Sequence, residues 1–128
     1  MNFEVAKQCT HLTDKDNVPF PEVVRRLHEA GVESYYADLL GSTRTYYAKN
    51  TAYTVDCLEK HGTKAADAFN AAEVVNAIRQ IQAGKILYSE FVEKIMNAGV
   101  INYTVYIDGR KVIYFGRRGD FHIEEFPK

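Results

Sequence analysis

The chain has 128 residues, with 16 Lys and Arg against 17 Asp and Glu, a net charge of −1 and a hydrophobic share of 46%. That length suits one domain burying roughly two thirds of its unfolded surface, and the even charge argues against bulk nucleic acid as the main partner, because neutralising phosphates takes clustered Lys and Arg. No apolar run is long enough to span a membrane, and the opening MNFEVAKQCTHLTDKD lacks a charged-then-apolar secretion pattern, so the cytoplasm is the expected setting.

In chain order, Phe3, Ala6, Cys9 and Leu12 form a short, weak helical stripe. A second helix opens at Pro21, which suits a first turn, and carries Val23, Val24, Leu27 and Ala30 before Gly31 stops it. The period then shortens to two, as in a strand. Tyr35, Ala37 and Leu39 fall on one face and Ser34, Tyr36 and Asp38 on the other, before a turn at Gly41-Ser42. Further strands run through Arg44–Tyr47 and Tyr53–Val55. Segment 59–69 reads as a linker. Asn70 followed by Glu73 resembles a capping box and starts a helix with the stripe Val74, Ile78 and Ile81. The next helix holds Phe91, Val92, Ile95 and Ala98 and stops at Gly99. Alternating strands follow on either side of Asp108-Gly109, a strong hairpin signal.

Residues 20–58 and 88–126 align without a gap at an offset of 68 positions. Gly31 then falls on Gly99, Tyr35 on Tyr103, Gly41 on Gly109 and Tyr46 on Tyr114. The expectation is one domain, 1–128, of class α+β, built from a tandem-duplicated α-α-β-β-β unit. The first repeat is 1–58 and the second 70–128, with antiparallel meanders, helices on one side and a pseudo-two-fold axis. One continuous sheet and two facing three-stranded sheets both fit.

The F-P-x-x-V-x-x-L-x-x-x-G-V-x-S-Y start at 20–35 and the tyrosines around Thr43–Tyr47 resemble the YbcV-like bacterial family of unknown function, often labelled "phage envelope protein". The resemblance covers nearly the whole chain. It implies a bacterial, prophage-related setting and a fold, and brings no activity, cofactor or catalytic residue with it.

Where the two copies disagree, the shared scaffold gives no explanation, and the first copy is the more polar. Tyr36, Asp38, Arg44, Tyr46 and Tyr47 are the candidate ligand-binding set, with Asp38 and Arg44 expected to pair across the Gly41 hairpin between aromatic walls. The plainer account is a solvated sheet face with a cross-strand ion pair. Nine tyrosines without a tryptophan suit half-buried strands, interfaces and stacking alike. His11, His28, His61 and His122 have no metal spacing, so no metal or cofactor is expected. His61 reads as a loop residue, and His122 as pointing away from the core. Cys9 and Cys57 read as free thiols in a reducing compartment. Arg110, Lys111, Arg117 and Arg118 lie among acids, as in a mixed-charge surface.

The sequence therefore favours a non-enzymatic module that binds a small ligand or a protein, including a host protein or a second copy of itself. The alternative is a small enzyme using Asp38 as acid or base in a tyrosine-lined cleft.

Overall fold

The computed structural model describes residues 1–15, 18–58 and 63–127. The expected exposed loop at His61 and the first part of the 59–69 linker lie outside the described residues.

In chain order the elements are α1 (Phe3–Asp14), α2 (Phe20–Glu29), β1 (Ser34–Asp38), β2 (Thr43–Ala48), β3 (Thr51–Asp56), α3 (Ala71–Gln82), α4 (Tyr88–Asn97), β4 (Val100–Tyr106), β5 (Lys111–Gly116) and β6 (Phe121–Glu125). Each helix start has a local cause. The Asn2 side chain accepts the Val5 amide at 3.2 Å and Asn70 accepts Glu73 at 3.1 Å, so each satisfies a donor that a helix opening leaves free. Pro21 sits in the first turn of α2, and Glu90 reaches back to the Leu87 amide ahead of α4. After α4, Gly99 takes φ +96°, and a Cβ there would lie 2.5 Å from the Ala68 carbonyl oxygen. Only glycine fits both constraints.

The six strands make one antiparallel sheet in the order β3-β2-β1-β4-β5-β6, which settles the open choice between one sheet and two. The fold is α+β, and the helices lie against one face. Phe3 of α1 meets Tyr53, Phe91 of α4 meets Tyr114, and Arg79 of α3 grips Glu124. Between the layers lies the core, in which Leu27, Val32, Tyr46, Val74, Val92, Ile95, Met96, Val100 and Val105 are all essentially sealed from solvent. The described part of the linker is tied down, since the Ala66 and Asn70 amides donate to the Met96 and Ala98 carbonyls beside the end of α4.

Two expectations fail on register. His122 was expected to point away from the core, with Phe121 and Ile123 facing it. Instead β6 pairs with β5 so that His122 sits opposite Tyr114, whose ring it stacks on at 6.5 Å. Phe121 and Ile123 emerge on the other side, 58% and 45% exposed. Because strand side chains alternate, a slip of one residue inverts the whole strand. In α1 the buried positions are Ala6, Cys9, Thr10 and Asp14, whereas Phe3 is largely exposed. The inward stripe of that helix is more polar than its apolar residues suggested.

Candidate functional site

The five candidate residues divide between the two faces of the sheet. Ala37 pairs with Arg44 and Asp38 with Thr43, so Asp38 and Arg44 point in opposite directions. The expected ion pair across the hairpin does not form. The Asp38 carboxylate instead accepts the Leu40 and Gly41 amides at 3.1 and 2.9 Å, holding its own turn. A Cβ at Gly41 would come within 2.5 Å of the Asp38 carboxylate, so a larger residue there would push that carboxylate out of the turn.

Arg44 and Tyr46 face the helices. The Arg44 guanidinium is buried and donates to Asp14 at 3.2 Å and to the Tyr88 hydroxyl at 2.7 Å. It also approaches the Thr10 carbonyl and, at 3.8 Å, the Cys57 sulfur. Asp14 is held from its other oxygen by the Leu58 amide at 2.8 Å. Tyr88 continues the network to the Tyr103 hydroxyl at 2.8 Å, and Tyr46 shares a short hydrogen bond with Thr10. The cluster ties α1, α4, β2, β4 and the end of β3 together. Its chemistry is that of a buried ion pair whose charge-assisted bonds engage both terminal guanidinium nitrogens. A void of about 10 Å³ beside it, lined by Ala37, Asp38, Ser42, Arg44, Cys57 and Tyr88, offers room for about one water. Burial raises the Cys57 thiol pKa, outweighing the opposing effect of Arg44, so the sulfur is held as the poorly nucleophilic thiol.

Sequence reasoning missed Thr10, Asp14, Tyr88 and Cys57 as partners of Arg44, and Tyr103 as the next member of the network. One signal for the placement of Arg44 was available. It aligns with Val112 at the 68-residue offset and lies two residues from Tyr46, so the period of two assigns it to the buried side.

Tyr36 and Tyr47 point to the opposite face, which no helix covers among the described residues. The cross-strand register sets the middle row of that face as Thr54, Thr45, Tyr36, Thr104, Ile113 and Ile123. Tyr47 and Tyr106 on one flank and Phe121 on the other are 40%, 36% and 58% exposed. Thr45 and Thr54 bond to each other across the strands at 2.9 Å. Burial, with Asp38 next in importance, raises the pKa of the Tyr36 hydroxyl, so at neutral pH it serves as a neutral donor and acceptor. Arg110 stacks over Phe126 at 5.4 Å, while Arg117 donates to the Ala65 carbonyl, so half of the basic cluster is engaged within the fold.

Among the described residues, no group of three or more His, Cys, Asp or Glu is placed to hold a metal ion, and no helix is long and apolar enough to cross a membrane. The molecule is thus a two-layer α+β protein with one sheet face packed and one bare. Residues 8–125 match the family described as a protein of unknown function, DUF1398, and the chain belongs to that family. It is similar to the uncharacterised proteins Rv2012 of Mycobacterium tuberculosis H37Rv and Mb2035 of Mycobacterium bovis, each 27% identical over 110 residues. The aligned region covers 84% of this chain and 66% of those relatives, so the chain spans just under two thirds of their length.

Proposed function

We propose that this protein is a non-enzymatic module that binds another protein chain through the bare face of its sheet. The observation that carries this reading is the face itself: six strands wide, helix-free among the described residues, and studded with exposed Tyr47, Tyr106, Phe121 and Ile123. An uncovered sheet face carrying four exposed aromatic and aliphatic side chains supports an interaction surface. Of the candidate ligand residues, Tyr36 and Tyr47 belong to this surface, with Asp38 at its rim. Arg44 and Tyr46 act from behind by holding β2 in place. The competing enzyme reading is weakened by the engagement of Asp38 in its own turn.

The tandem duplication, with repeats 1–58 and 70–128 joined by 59–69, is part of the proposal and draws support from the register. Tyr36 pairs with Thr104 at the repeat offset, while the pairs Ser34–Tyr106 and Asp38–Asn102 exchange under it, as a pseudo-two-fold between β1 and β4 requires. The Ser34–Tyr47 pair recurs as Asn102–Phe115. The halves differ at a bulge between Val100 and Asn102 in β4 and by one extra residue in the 116–120 loop, which accounts for the slip at His122. A place within the YbcV-like branch, with its prophage association, rests on the 20–35 motif. A cytoplasmic setting is supported by the two free thiols, Cys9 and Cys57.

The test is a photo-crosslinking amino acid at Tyr36 or Tyr47, with the same probe at Glu73 on the outer side of α3 as control, in cells that naturally make the protein. Protein adducts at the sheet positions and none at Glu73 are expected. No adducts from the sheet, or equal adducts from both sides, would overturn the reading.

A further inference from the structure

We infer that the chain occupying the bare face is a second copy of this protein, packed sheet on sheet with each strand lying across its own counterpart. This rests on the reading that the face is the binding surface, and it adds the partner. Three properties of the face point to it.

The first is charge. The middle row carries none, and the flanks carry only Asp38, Asp56, Lys111 and Glu125. Lys111 and Glu125 are direct cross-strand partners, and Asp38 is committed to its turn. The flanks are net acidic, three carboxylates against Lys111, which disfavours a nucleic acid, while the uncharged middle row can pack on its own copy.

The second is area. Six strands at about 4.8 Å spacing and five residues at about 3.3 Å rise give a projected face of roughly 500 Å². Side-chain relief brings its accessible area towards the ~800 Å² that each partner contributes to a standard interface.

The third is the internal layout, which selects the symmetry. Apolar residues gather on β5 and β6 (Ile113, Phe115, Phe121 and Ile123). Hydroxyls gather on β1, β2 and β3 (Ser34, Thr43, Thr45 and Thr54). A two-fold axis along the strands would set β6 over β3 and bury apolar groups against hydroxyls. An axis across the strands sets Ile113 and Ile123 on their own copies and threonine on threonine along the middle row, with Phe115 and Phe121 over the partner's Lys111 and Glu125. Aligned packing of two twisted sheets tolerates this arrangement.

The experiment is sedimentation velocity on the wild-type chain at tens of micromolar, with Ile113→Lys, Thr104→Lys and, as a control on the outer surface of α4, Glu93→Lys. Wild type and Glu93→Lys should run at twice the 14.6 kDa chain mass. The two face variants should run as monomers with wild-type near-UV circular dichroism. Thr104→Cys, close to the axis, should be joined to its own copy by a short bismaleimide that spans the roughly 10 Å between packed sheets, with the crosslink mapped by mass spectrometry to position 104 of both chains. A monomeric wild type, or a dimer that survives both lysine substitutions, overturns the inference. If the wild type is monomeric while the Tyr36 probe captures a different protein, the homodimer falls and the binding face stands. If the probe captures nothing, both fall.

Discussion

Arg44 is the residue on which the packing of the two layers turns. Its guanidinium stays charged at any pH the fold survives, so burying it demands the full set of acceptors that Asp14, the Thr10 carbonyl and Tyr88 supply. Removing one partner strands the other, and Asp14→Ala should lower the urea-derived unfolding free energy by about 3–5 kcal/mol. The double variant Asp14→Leu with Arg44→Met should cost clearly less than Asp14→Ala alone, because apolar side chains of similar size replace a pair whose attraction is largely spent on desolvation. If the double variant is the less stable, the cluster does more than fill this site. The Arg44 position was readable from its alignment with Val112. Its partners were not, since Asp14 and Tyr88 lie 30 and 44 residues away and meet it only in three dimensions.

Among the elements, the helix ends and the outer strand carry the sharpest constraints. Gly99→Ala puts a Cβ into the Ala68 backbone at a positive φ, and should cost about 1–3 kcal/mol in thermal or urea unfolding. A smaller loss would mean that the 63–69 segment yields easily. On β6, burial alone would raise the Glu124 pKa, but hydrogen bonds from Arg79 and His122 outweigh it and hold the carboxyl below its ordinary value. A depressed carboxylate stabilises the fold above its unfolded pKa of about 4.3, and that contribution fades as pH falls through the folded value. The melting-temperature gap between wild type and Arg79→Gln should therefore be widest near pH 6 and close towards pH 3. A gap independent of pH would remove the ion pair as its cause. The helices and their stops were legible because caps, Pro21 and the glycines act locally. The register of β6 was not, because one added loop residue outweighs a pattern of alternating side chains.

For the molecule as a whole, four of the nine tyrosines, Tyr35, Tyr46, Tyr103 and Tyr114, are sealed between the layers, and burial is the main cause of their raised pKa values. A raised acid pKa means stability that is fully present below the unfolded value, about 10, and lost as pH rises beyond it. Alkaline titration followed at 295 nm should show the exposed tyrosines ionising first. The buried set should then ionise in a steep step that coincides with loss of far-UV circular dichroism. A smooth titration of all nine without unfolding would contradict the sealed two-layer architecture.

Taken alone, the sequence determined the α+β class, the order of helices and strands, the inward face of β1 and β4, and the absence of local metal-ligand spacing. These follow from periodicity and from residues that act on their immediate neighbours. Only the tertiary structure decided that the six strands form one sheet, which side chains meet Arg44, and which side of β6 faces the helices. Each depends on pairing between segments distant along the chain, where a shift of one residue exchanges the packed face for the bare one.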